Sequence, residues 1–252
     1  MLRPDEVIYD RPWAQVGRLP GEDGQCYIRK VGKHVLSDTG LGIIDFLTKL
    51  TADPHPNLLV PIGFSGGAGE VLVEDYPDLS GQIRLDGAGR EIRKQLSKGR
   101  IGIGKVIDMM VQLSDGVDFI HRSGYVHRDV RRENVFVEDV GEETEWFRPT
   151  LFDYNGMVRP FFLEEGLKFA NDETPPEERL GRVMVDGRHD VYQLGWMLRA
   201  LTHYQGALDV WQPVAPVDQG ITDIIGCATG PHRDRYPEAG EFRDRLLEAA
   251  GS

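Results

Sequence analysis

The chain has 252 residues, enough for one large domain or two small lobes. Lys and Arg number 29 against 41 Asp and Glu, and the net charge of -12 argues against nucleic acid or an anionic membrane as the main partner, because phosphate-rich surfaces attract cations. Cys26 and Cys227 lie far apart at no metal or redox spacing, and there is neither an apolar leader nor an apolar run long enough to span a bilayer, so a cytoplasmic chain without disulfides is expected.

The first hundred residues read as strands with one short helix. Trp13–Leu19 and Gln25–Val31 are β-rich runs joined by the turn-forming Pro20-Gly21-Glu22-Asp23-Gly24. Ile43, Ile44, Leu47 and Leu50 have helical spacing, predicting a helix over 40–50. Leu58–Phe64 and Glu70–Tyr76 read as two more strands, parted by a glycine-rich turn. Pro77–Gly102 is polar and glycine-bearing, as a linker with a short helix would be.

The second half reads as mainly helical. Ile103, Val106, Ile107, Met110, Leu113, Val117 and Ile120 form one apolar stripe at three- and four-residue steps. That helix should stop near Ser123-Gly124, where glycine suits the C-terminal cap. Short strands around residues 135–137 and 150–152 then flank an acidic hairpin. Val191, Leu194, Leu198 and Leu201 mark a second buried helix, and Phe242, Leu246 and Leu247 a last, shorter one.

Four segments carry chemistry. His127-Arg128-Asp129-Val130-Arg131-Arg132-Glu133-Asn134 follows the long helix and precedes an apolar strand. Phe152-Asp153-Tyr154-Asn155 follows at a strand end, then Thr174-Pro175-Pro176-Glu177, then Asp190-Val191-Tyr192-Gln193-Leu194-Gly195. In this order they resemble the H-R-D-x-x-x-x-N catalytic loop, the D-F-G and A-P-E segments and the central helix of eukaryotic-like (Hanks-type) protein kinases. Aminoglycoside kinases share an Asp and an Asn but generally lack the last three features.

The resemblance implies an α+β, bilobal fold, with a β-rich N-lobe over residues 1–76 and a helical C-lobe over 77–252. It implies ATP and Mg2+ as cofactors. Phosphoryl transfer needs a carboxylate to orient the attacking hydroxyl and oxygen ligands for magnesium. The resemblance assigns Asp129 as base, Arg131 as a contact to the transferring phosphate, and Asn134 and Asp153 as metal ligands. Tyr154 keeps an aromatic in the Phe slot. Asn155 replaces Gly, and Asn tolerates the positive φ that such a turn uses. Glu177 is expected to pair with Arg235, with Arg233 as the alternative, and Asp190 to brace the catalytic loop.

Resemblance in the first lobe is thinner. His55-Pro56-Asn57-Leu58-Leu59 is similar to the H-P-N link after the lobe's helix. Tyr27-Ile28-Arg29-Lys30 matches the strand that carries the phosphate-contacting lysine, which assigns Lys30, while Arg29 next to it leaves the register open by one residue. Glu74-Asp75-Tyr76 resembles the hinge whose backbone binds adenine. Two features are missing. The expected phosphate loop, near Tyr9–Val16, contains no glycine, and residues 31–69 contain no Glu to pair with the lysine. Asp45 is the nearest carboxylate on the helix.

Three function classes follow: a protein kinase acting on a protein hydroxyl, a pseudokinase that binds a regulatory protein, and a small-molecule kinase on the same fold. Partners are expected to be proteins, with no nucleic acid and no membrane. Between Asp153 and Glu177 the only hydroxyl side chains are those of Tyr154 and Thr174, both inside motifs, so activation by loop phosphorylation is expected to be absent.

Overall fold

The computed structural model describes residues 7–10, 14–20, 26–35, 41–67, 70–77, 79, 82–139, 147–164, 173–179, 183–205 and 211–251. The expected turn at 21–24, the tip of the acidic hairpin at 140–146 and the link at 11–13 lie outside them. The chain divides into two compact units, Met1–Gln82 and Ile83–Ser252. The sequence reading ends the first lobe at residue 76, inside a strand.

The first unit is an antiparallel sheet of β1 (Val7–Asp10), β2 (Ala14–Pro20), β3 (Cys26–Val35), β4 (Gly63–Ser65) and β5 (Val71–Pro77), in the order β1-β2-β3-β5-β4. Leu19 and Val31 are buried together, with Tyr27, Val71 and Val73 packed against them. Helix α1 (Leu41–Ala52) buries Ile43, Phe46, Leu47 and Leu50, the face set by its spacing. The strand expected over 58–64 shrinks to β4. Leu58 N–H donates to the His55 carbonyl in a turn, and Pro61 has no N–H to give a ladder.

The second unit opens with β6 (Ile83–Arg84) and α2 (Leu85–Ser97), an amphipathic helix of 13 residues that buries Leu85, Ile92 and Leu96 where a linker with a short helix is expected. Helix α3 (Ile103–Arg122) buries Val106, Met110, Leu113, Val117 and Ile120. Its end is a two-bond glycine cap. Gly124 at φ 85° donates to the His121 carbonyl at 2.9 Å, and Tyr125 donates to that of Ile120 at 3.2 Å. β7 (Val135–Asp139) and β8 (Phe147–Leu151) form a hairpin, with β6 on the outer edge of β7.

Downstream, β9 (Phe162–Glu164) pairs with β10 (Val183–Val185), and α4 (Pro176–Arg179) lies between them in sequence. Helix α5 (Arg188–Thr202) is the centre of the unit: Val191, Leu194, Leu198 and Leu201 are all buried. Each such leucine stabilises the fold by about 1.5–3 kcal/mol through apolar burial. β11 (His203–Gln205) pairs with β12 (Trp211–Pro213), and α6 (Gln219–Ala228) and α7 (Ala239–Ala250) complete the unit. Gly195 permits the close crossing of α5 and α6, since a Cβ there would lie 2.5 Å from that of Ala228.

Candidate active site

The loop between α3 and β7 carries Asp129 and is fixed from below by α5. Asp190 accepts the backbone N–H groups of His127 at 2.8 Å and Arg128 at 2.7 Å, and also faces His121 Nε2 at 2.9 Å. Three residues on, and so on the same helix face, Gln193 accepts the Val130 N–H and donates to the Arg128 carbonyl, both at 2.9 Å. These bonds hold Arg128 at φ 70°, a conformation costly for a residue with a Cβ. Asp190 is wholly buried. Burial alone would raise its pKa, but its contact with His121 and the backbone donors hold it below the usual range.

Asp129 and Asn134 form one unit. Asn134 Nδ2 donates to the Asp129 carboxylate at 2.6 Å and to its carbonyl at 3.0 Å. With its nitrogen committed, the amide oxygen is the atom Asn134 can offer a cation. Arg131 Nε lies 3.2 Å from the other Asp129 oxygen. Burial, followed by the charge of Asp153, raises the Asp129 pKa against the pull of Arg131.

The strand after the loop delivers the second carboxylate. Phe152 N–H donates to the Asn134 carbonyl at 3.0 Å, which ties the start of this segment to the loop. Phe152 stacks on Phe136 of β7 with ring centroids 4.4 Å apart. Asp153 itself takes φ 67°, in the left-handed region. Tyr154 is fully buried, edge-on to His127, with its hydroxyl donating to the Leu151 carbonyl at 3.1 Å. Asn155 does not take the positive φ expected of it. The turn uses Asp153 instead, and Tyr154–Gly156 form a short 3-10 turn. Gly156, one position later, supplies the close approach: a Cβ there would lie 3.2 Å from the His127 carbonyl oxygen.

The end of this segment is anchored twice. Arg132 pairs with buried Glu173 at 3.1 Å, next to buried Thr174. Glu177 receives both Nη atoms of Arg235, which is buried and stacked on Tyr192, whereas Arg233 is exposed. The acidic Asp153 and the amide oxygen of Asn134 are hard oxygen donors, the type that Mg2+ takes, so the residues present suit that ion.

In the first unit, Lys30 is the buried member of the Arg29-Lys30 pair. Its Nζ lies 3.3 Å from Glu74 Oε2, directly across from it on β5. Arg29, on the opposite face, makes a two-bond pair with Asp75 at 2.7 and 2.8 Å. This register places the expected hinge residues at the end of β5. Glu74 and Asp75 are paired with β3 on one side and β4 on the other. Tyr76 lies beyond the last β4 pair, with its side chain buried against Glu74. Asp45, the helix carboxylate nearest in the sequence reading, is exposed on α1. Glu74 as a side-chain partner was missed because only cross-strand register shows it.

A family profile described as protein tyrosine and serine/threonine kinase matches residues 45–145. The serine/threonine-protein kinase pkn2 of Myxococcus xanthus is 26% identical over 216 residues, covering 77% of this chain and 25% of that protein. A protein named "Probable serine/threonine-protein kinase" from Clostridium acetobutylicum is 24% identical over 181 residues, covering 63% of this chain and 27% of that one. The chain therefore spans about a quarter of the length of these curated relatives. Among solved structures, the BubR1 kinase domain superposes with a TM-score of 0.67 at 16% identity, covering 97% of this chain and 78% of that one. The kinase domain of a Toxoplasma gondii rhoptry antigen gives 0.63 at 15% identity, covering 96% and 81%.

Proposed function

Because this chain belongs to the Hanks-type protein-kinase superfamily, we propose that it transfers the γ-phosphate of ATP to a hydroxyl group of a protein substrate. The observation that carries this reading is the assembly of Asp129, Asn134 and the Asp153 segment around one loop, with Asp129 bonded to Asn134 and within electrostatic reach of Asp153. A degenerate binding module would have no reason to keep all three oxygen-bearing groups together.

In this reading Asp129 orients the substrate hydroxyl and accepts its proton. Its raised pKa brings it closer in basicity to the group it must deprotonate. Arg131 lies beside it, at 3.2 Å, and supplies positive charge for the transferring phosphoryl group. Asn134 and Asp153 would hold Mg2+, which when bound neutralises charge on the phosphates. Lys30 supplies a further cation for the nucleotide. The substrate is a protein, and the site of action is the cytoplasm.

A second reading, a binding module without turnover, draws on the glycine-free stretch Tyr9–Val16, where β1 and β2 are joined. The test is transfer of label from γ-labelled ATP to protein in the presence of magnesium. The kinase reading expects protein labelling that Asp129→Ala abolishes. Labelling of metabolites alone would move the activity to small molecules, and no labelling with intact nucleotide binding would leave the binding module.

A further inference from the structure

We propose that Glu74 is the positioning residue for Lys30, so that the lysine's carboxylate partner sits on a neighbouring strand and not on helix α1. The inference deepens the kinase reading above and rests on Lys30 being a nucleotide-contacting lysine.

Three observations carry it. The first is direct geometry: Lys30 Nζ and Glu74 Oε2 are 3.3 Å apart, with Glu74 only 1% exposed. A carboxylate taken so far out of water needs paired charge and hydrogen bonds around it. The second is the supporting bond, in which Tyr76 Oη donates to Glu74 Oε1 at 2.5 Å. Tyr76 lies two residues along β5, so its ring stands on the same sheet face as Glu74 and holds the carboxylate aimed at Lys30. The third is the composition of the alternative. Residues 31–69 contain no Glu, and α1 turns Ile43, Phe46, Leu47 and Leu50 inward while Asp45 is exposed.

Strand register makes this pairing rigid. Lys30 and Glu74 are direct partners across the β3–β5 ladder, flanked by Arg29–Asp75 and Val31–Val73 pairs. Cross-strand neighbours of opposite charge hold one another in place as the sheet forms. The lysine is therefore set by the folding of the sheet itself. The pair is made between β3 and β5 and contains no residue of α1.

The test is a titration of the full chain with Mg-ATP and, by competition, with adenosine, for wild type, Lys30→Met, Glu74→Gln and Asp45→Asn. Lost charge pairing at the lysine weakens ATP by about tenfold in both Lys30→Met and Glu74→Gln, while adenosine, which has no phosphate, stays within about twofold. Asp45→Asn leaves both ligands unchanged. If Lys30→Met loses ATP but Glu74→Gln does not, the inference falls and the kinase reading stands. Equal loss of ATP and adenosine in Glu74→Gln overturns it too, since that is the mark of a purely structural residue. So does an Asp45→Asn loss that matches Lys30→Met. A wild-type chain that binds no ATP removes the kinase reading itself, and the inference with it. Should Glu74→Gln fail to fold, Glu74→Asp, which keeps the charge but shortens its reach, is compared in the same way.

Discussion

The side-chain amide of Asn134 donates to both the carboxylate and the backbone carbonyl of Asp129, at 2.6 and 3.0 Å. One residue thus orients the expected base and presents its own oxygen to a cation. Asn134→Ala is expected to raise the magnesium concentration for half-maximal turnover by about tenfold or more, since it removes a ligand and frees its neighbour. Turnover measured against free magnesium checks this; an unchanged magnesium curve would remove Asn134 from the metal site.

The loop also depends on a buried imidazolium. His121 is flanked by Asp190 at 2.9 Å and Glu238 at 2.7 Å. Burial opposes its charge, but the two carboxylates prevail and raise its pKa from 6.5 to about 9. A raised folded pKa means that the stabilisation is complete below 6.5 and is lost as pH climbs through about 9. The total is on the order of 3 kcal/mol. Urea denaturation across this window should show stability falling with pH, and His121→Gln should flatten the fall.

Two glycines in the second unit should respond oppositely to alanine. At Gly195 a Cβ would come within 2.5 Å of the Ala228 Cβ, so Gly195→Ala should destabilise by about 1–3 kcal/mol through overpacking. At Gly226 on α6 a Cβ meets nothing within 4 Å. Gly226→Ala should stabilise by up to about 1 kcal/mol through helix propensity. Thermal unfolding of the pair measures both.

Loop phosphorylation should not activate the chain. Tyr154 is 0% exposed and Thr174 is 6% exposed, so neither hydroxyl is presented to a second kinase. Thr174→Glu would bury an added charge and should lower stability without raising activity. A stoichiometric phosphate on Thr174, found by mass spectrometry together with increased turnover, would contradict this.

What was legible in the sequence was local. The spacing of Val106, Met110, Leu113 and Val117 gave α3, and Gly124 gave its end, because helix periodicity and capping act within a few residues. The closeness of Asp129 and Asn134 is local in the same way: a single short loop holds them. Helix α2 reads from the sequence only as a short helix within a linker because Gly87 and Gly89 weaken its propensity, while burial of Leu85, Ile92 and Leu96 stabilises it. Helix α6 carries Ile221, Ile224 and Ile225 at helical steps, but among Gly220, Thr222 and Gly226 the signal is faint. Nothing local says which residue of β5 faces Lys30. That is set by pairing across more than forty positions, Lys30 to Glu74. The positive φ fell on Asp153 and not on Asn155 because the bond from Phe152 to Asn134 fixes where the turn begins.

The central claim is that oxygens of Asn134 and Asp153, beside Asp129, form one divalent-cation site for a nucleotide. A crystal structure with magnesium and a non-hydrolysable ATP analogue tests it most directly. The account predicts an ion at about 2.0–2.1 Å from the Asn134 amide oxygen and an Asp153 carboxylate oxygen, with Asp129 facing the terminal phosphate. An analogue bound with those oxygens turned away from its phosphates and no ion between them would contradict it.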